Sequence, residues 1–209
     1  IYYLAIGLVN ILGISMNLAM TNWNFQFDGL RLATVIFLFV AGLNAFKPGY
    51  LFLQANGVTR RQFYLGGLMA IAAVAAALTA IDAVLYDLLR QFLRPGEEVA
   101  FLLYPNSGSV GMHLWTLAFN LLAIAFGWFL TMLYYRSGKG LKIAISLTPA
   151  VVMIGLPILS DLTGGKLLET IVLAITAAMG MGDHPNVFLG TFTLLVMTTL
   201  FSALCFLLV

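Results

Sequence analysis

The chain has 209 residues, 62% of them hydrophobic and only 9% charged, with ten Lys and Arg against eight Asp and Glu. Soluble globular domains carry roughly 25% charged residues, so these few charges cannot cover a water-facing surface, and the mean hydropathy of +1.02 points to an all-α integral membrane protein. A net charge of +2 gives no reason to expect nucleic acid, and the lone Cys205 excludes an internal disulfide framework or a Cys-rich metal site.

A helix needs roughly 20 residues to cross about 30 Å of hydrocarbon. Six stretches reach or approach that length: residues 1–20, 30–46, 64–86, 112–134, 143–160 and 187–209, forming a single transmembrane domain. Near-continuous apolar length favours helices over barrel strands, which alternate every second residue. The chain opens on Ile1 and closes on Val209 within apolar runs, so both termini read as incomplete.

The second span breaks at Pro48 and Gly49. Between it and the third lies the segment 48–63, "PGYLFLQANGVTRRQF". Tyr50, Leu51, Leu53 and Gln54 suit a short amphipathic helix along the membrane surface. Asn56-Gly57 is a turn signal. Thr59, with Gln62 three residues on, has capping-box spacing. Arg60, Arg61 and Phe63 then open the third span at headgroup level. The plain reading of the two arginines is a membrane anchor, each gaining about 1 kcal/mol from anionic lipid.

Gly66, Ala70, Ala73, Ala77 and Ala80 place a stripe of small residues on one face of span 3. Such stripes usually mean tight helix packing; a small-walled cargo path is the sharper reading. Asp82 is the single acid inside a span, hence a functional-site candidate by default. Asp82, Tyr86 and Arg90 recur at i, i+4, i+8, so the plainer expectation is an intramembrane ion pair between Asp82 and Arg90 or a neighbouring helix. Residues 87–111 alternate charge with apolar clusters and suit the outer interface. Span 5 carries Pro149, Gly155 and Pro157, which weaken or kink a helix. Residues 167–182 have a clean apolar core of about 13 residues, or about 20 Å, too short to span. They read as a re-entrant helix before span 6, with Asp183–Asn186 turning the chain.

Charge asymmetry sets the orientation. The segments 47–63 and 135–142 hold Lys47, Arg60, Arg61, Arg136, Lys139 and Lys142 and no acid. The other loops hold four basic residues against seven acidic ones. The positive-inside rule places the first two segments in the cytoplasm, and with six spans both termini join them.

The run "LFLQANGVTRRQFYLG" resembles the cytoplasmic loop of ABC-2-type exporter permeases, especially small ones from Gram-positive bacteria, which carry an N/G-V-S/T-R-x-x-F-like stretch after span 2. "YYRSGKGLKI" resembles their basic loop between spans 4 and 5. The six spans, loop order and re-entrant segment extend the likeness over essentially the whole chain. The resemblance implies that 48–63 is a coupling segment docking on a separate ATP-binding subunit. Tyr50, Leu51, Gln54 and Asn56 would belong to its inserted helix. Gly57, Val58, Thr59, Arg60 and Arg61 would form the contacting turn, followed by Phe63. It further implies a multi-pass protein of the bacterial plasma membrane that works as two permeases, a second copy or a homologue, with two ATPase subunits. Its cargo would be amphipathic, antimicrobial or toxin peptides of the phenol-soluble modulin kind, or a hydrophobic drug.

No GxxxxGK[S/T] phosphate cradle occurs, so ATP and magnesium are expected in the partner subunit and the chain is not expected to be an enzyme by itself. "NSGSVG" does not fit GxSxG. His113 and His184 lack zinc-site spacing, so no bound cofactor or metal is expected. An ion-coupled secondary transporter should show repeats and midplane polar residues in broken helices; neither is evident apart from Asp82. A membrane immunity or assembly protein without transport is the other alternative.

Overall fold

The computed structural model describes residues 29–45, 47–92, 103–105, 107–182 and 184–208. Among these the chain is entirely helical, in the order α1 (Gly29–Ala45), α2 (Lys47–Ala55), α3 (Arg60–Phe92), α4 (Ser109–Arg136), α5 (Lys139–Leu162), α6 (Lys166–Ala178) and α7 (Val187–Leu208). Three helices among the described residues are long and apolar enough to cross a membrane: α3 over Arg60–Leu88, α4 and α7. These answer to the expected third, fourth and sixth spans. The expected second span is a shorter apolar helix of 17 residues, about 25 Å long, with residues outside the description on either side. The expected fifth is a helix of 24 residues that Pro149 and Pro157 do not end. The expected first, 1–20, lies outside the described residues. The described helices therefore supply three candidate spans in place of six.

Helix α4 is the axis of the bundle, with α1, α7 and α3 packed around it. Its Ile124, Trp128 and Met132 meet Leu38 of α1, Phe63, Ile71 and Ala75 of α3 and Cys205 of α7 in the main buried cluster. The approach of α1 to α4 is close enough to need glycine on both helices. A Cβ added at Gly42 would run into the Ile124 carbonyl, and one at Gly127 into the Phe39 carbonyl. Removing side chains here lets two backbones touch where lipid offers no hydrophobic drive to association. Thr131 Oγ1 fixes the crossing by donating to the Leu43 carbonyl at 2.6 Å. On the neighbouring side Tyr64 stacks on Trp128, with ring centroids 5.7 Å apart, and donates to the Ser202 carbonyl at 2.8 Å.

The small-residue stripe of α3 does not take part. Gly66, Ala70, Ala73, Ala77 and Ala80 all lie on the exposed face, and space around Gly66 is open. Among the described residues no helix packs on this stripe, because the larger Phe63, Ile71 and the buried Thr79 turn the opposite face of α3 toward α4.

Helix α6 has the length of the short apolar core and none of its residues is buried. Its end is pinned from two sides: Tyr104 Oη donates to the Met179 carbonyl and Thr193 Oγ1 to the Ala178 carbonyl, both at 2.6 Å. Asn186 Oδ1 then accepts from the Phe188 and Leu189 amides at 3.0 and 3.4 Å, capping α7.

Candidate functional site

The segment between α1 and α3 has a local architecture written residue by residue in its sequence. Helix α2 begins with Pro48 in its first turn, where the missing N–H has no intrahelical role. It therefore starts at Lys47, earlier than the expected Tyr50, and ends at Ala55. The end is a Schellman motif: the Val58 amide reaches back to the Leu53 carbonyl at 3.0 Å and the Gly57 amide to the Gln54 carbonyl at 3.1 Å. This geometry puts Gly57 at φ +78°, a conformation that costs other L-residues about 1–2 kcal/mol. Leu53 and Val58 both pack on the main cluster, the apolar contact that accompanies this motif.

Two residues later the next helix opens on a capping box. The Gln62 amide donates to Thr59 Oγ1 at 3.3 Å, and the Thr59 amide donates to Gln62 Oε1 at 3.1 Å. The box moves the start of α3 to Arg60, four residues before the expected Tyr64. Consecutive caps leave almost no free backbone between α2 and α3, so their relative direction is set locally. Thr59→Ala should destabilise the protein by about 1 kcal/mol, lowering Tm by roughly 2–4 °C at this size. Thermal unfolding in detergent, with Thr59→Asn retaining the parental Tm, checks this.

The inward side of the segment is aromatic. Tyr50 meets Phe63 edge-on at 5.1 Å and Tyr135 at 6.3 Å, so α2, the start of α3 and the last turn of α4 share one contact. Arg136, next to Tyr135, donates to the Leu207 and Leu208 carbonyls at 3.2 and 2.8 Å, satisfying the open C-terminus of α7. Lys142 Nζ lies 5.4 Å from the Tyr134 ring centroid. The two expected basic loops are therefore neighbours at one end of the bundle. The outward rim of that end carries Gln54, Asn56, Gly57, Thr59, Arg60 and Arg61, all exposed, and no acid occurs in either segment. Phe52, 69% exposed, stands beside them as an apolar contact point. Leu51 lies within α2, and its side chain is outside the description. Exposed arginines can bind carboxylates and helix-end carbonyls through their forked donors.

Of the expected ion pair, Asp82 is buried at 1% exposure on the inner face of α3. Arg90 lies within α3, with its side chain outside the description. Sequence reasoning missed the other buried polar residues of these helices: Thr79 on the same face of α3, and Thr116 and Asn120 on α4, which bond Arg31 of α1 and Thr79 respectively. The i, i+4 spacing of Thr116 and Asn120 was the available signal. Outside the apolar helices, burial pushes the Tyr104 phenol above its ordinary pKa, so its hydroxyl keeps its proton and donates to the α6 end. Among the described residues no three His, Cys, Asp or Glu side chains group as metal ligands.

Family models, curated proteins and solved structures give no match to this chain.

Proposed function

We propose that this chain is the membrane-embedded permease subunit of an ABC-2-type exporter. In this reading it crosses the bacterial plasma membrane six times, with residues 1–20, α1 and α5 joining α3, α4 and α7 as spans and α6 re-entering from outside. The observation that carries the reading is the doubly capped segment at the basic end. It joins two long helices and presents exposed Arg60, Arg61 and Phe52 away from the core. An anchor alone requires the charges but not the Schellman turn, the capping box or the aromatic contact to α4. A separate ATP-binding subunit docks there, its ATP-driven closure moves α2, and an amphipathic peptide leaves toward the outer face.

The decisive experiment is transport in inverted membrane vesicles holding the chain together with an ATP-binding subunit. Accumulation of a fluorescent amphipathic helical peptide should require ATP and survive a protonophore. Buried Asp82 is the one observation favouring the rival, an ion-coupled carrier. Accumulation that needs no ATP and collapses with the protonophore would establish that carrier instead.

Orientation is testable separately in a background where buried Cys205 is replaced by alanine. Single cysteines at Thr59 and Ser137 should resist impermeant thiol reagents in intact cells, while one at Ser107 should react. Cysteines at Lys166 and Asn186 should both react from outside. Labelling at Lys166 alone would make the α6 segment a seventh span, and external labelling at Thr59 would overturn the orientation and the docking role together.

A further inference from the structure

Two hydroxyls from separate parts of the chain hold the end of α6. Tyr104 Oη donates to the Met179 carbonyl and Thr193 Oγ1 of α7 to the Ala178 carbonyl, each at 2.6 Å. Carbonyls at a helix C-terminus have no partner within the helix, so these two bonds are the end's tie to the bundle. Tyr104 is fully buried in a small cluster with Met112 of α4 and Val187 of α7. Gly190 of α7 makes room for its hydroxyl: a Cβ there would strike the Tyr104 oxygen and come within 2.9 Å of the Met179 carbonyl. Helix α6 itself closes in a Schellman motif, with the Met181 amide on the Thr176 carbonyl at 2.8 Å and Gly180 at φ +67°.

The rest of the α5–α6 hairpin stands off the bundle. Successive residues such as Ser146, Leu147 and Thr148 on α5, and all five from Ile171 to Ile175 on α6, are exposed. Exposure at successive positions runs around a helix, so neither helix seats a face on the other described helices. The hydroxyls of Ser146, Thr148, Thr170 and Thr176 donate to carbonyls of their own helix and not across to a neighbour. The sequence agrees. Residues 136–187 contain no Phe, Trp or Tyr in a chain that is 13% aromatic. Aromatic rings bury the most area of any side chain, and rings knit α1, α3 and α7 to α4 through Phe39–Phe126, Tyr64–Trp128 and Phe126–Phe201. Among the described residues, the side-chain hydrogen bonds and ring contacts between hairpin and bundle fall at its two ends: Lys142 over Tyr134, and the two hydroxyls.

We propose that α5 and α6 form a lid, hinged at the turn between α4 and α5 and latched at its far end by Tyr104 and Thr193. The rise along α4 from Met112 to Tyr135 sets latch and hinge about 35 Å apart. Elements with few buried contacts open at a lower free energy than the whole fold, and two neutral hydrogen bonds are a small hold on helices of 24 and 13 residues. Release parts the end of α6 from α7 and uncovers the Tyr104 cluster. No contact among α1, α3 and α4 has to break, and the lid works whatever docks on the α2 segment.

The test removes the hydroxyls while keeping side-chain shape: Tyr104→Phe, Thr193→Val and both together. The chain carries Cys205→Ala and spin labels on cysteines introduced at Val110 and Leu173, exposed sites in the first turn of α4 and the middle of α6. The parent should show one narrow distance between the labels. Each single variant should raise the population of a second distance about fivefold, the effect of one net hydrogen bond, and the double variant should raise it further. Amide hydrogen exchange should quicken over α6 while α4 and α7 keep their protection. Gly190→Ala, whose Cβ displaces the Tyr104 hydroxyl, should act in the same direction. A single unchanged distance in the double variant would overturn the lid. So would loss of protection spread evenly through α4 and α7 with a lower Tm, because the hydroxyls would then hold the bundle as a whole.

Discussion

Leucine at position 127 should abolish the folded bundle. The atoms that a Cβ at Gly127 would meet are backbone, the Phe39 carbonyl and the Leu43 amide nitrogen at 3.1 Å, and cannot rotate away as a side chain would. The matching approach at Gly42 is to the Ile124 carbonyl and the Trp128 amide, so neither helix can yield without losing the other contact. Overpacking a well-filled core typically costs about 1–3 kcal/mol, and more where backbones must part. Helices α1 and α4 would have to separate along their shared length, also breaking the Thr131–Leu43 hydrogen bond. Against a total stability of roughly 5–15 kcal/mol, Gly127→Leu and Gly42→Leu should each leave little monodisperse protein after extraction. Gly66→Leu is the informative contrast, because the same change on the open face of α3 meets nothing and adds a helix-favouring apolar residue. Parental yield and Tm for Gly127→Leu would show that α1 and α4 are not packed through this glycine pair.

This contrast also marks what the sequence discloses. Helical class, the short α2, the Thr59–Gln62 cap and the brevity of α6 were legible because each depends on residues within one turn of each other. Apolar length marks a helix, Asn-Gly marks a turn, and a Thr three residues before a Gln marks a start. Which face of α3 turns inward was not legible. In a soluble protein the apolar side identifies the core, but a helix apolar all round removes that signal. The small residues from Gly66 to Ala80 form a regular stripe, while the packing glycines Gly42 and Gly127 sit singly in spans without such a pattern. The site divided the same way. The caps around Gly57 could be read locally, but the Tyr50–Tyr135 contact joins residues 85 positions apart in sequence and only the folded bundle reveals it. Arg31 falls at the outer end of the expected second span, where the sequence gives it no partner. It is the start of α1 against α4 that carries it to Thr116.

Reversing both charges at Arg60 and Arg61 to glutamate should leave the protein folded and disable it as a partner. The start of α3 is held by Thr59 and Gln62, and both arginine side chains are exposed. Glutamates in the first turn of a helix interact favourably with its dipole by about 0.3–1 kcal/mol, so the helix itself gives no reason for loss of stability. The effect should fall on the surface. A hydrogen bond to a charged group contributes about 1.5–3 kcal/mol. Losing two, and adding repulsion toward an acidic partner, should weaken docking of an ATP-binding subunit by about 10²-fold or more. The measurement is pull-down of that subunit together with cargo-stimulated hydrolysis, at matched membrane levels of variant and parent. An anchoring role predicts a different order of events, with insertion and yield falling first, since the bilayer reads basic residues directly. Association and export unchanged at parental yield would reduce the segment to a rigid turn with no partner, and the exporter reading would lose the observation on which it rests.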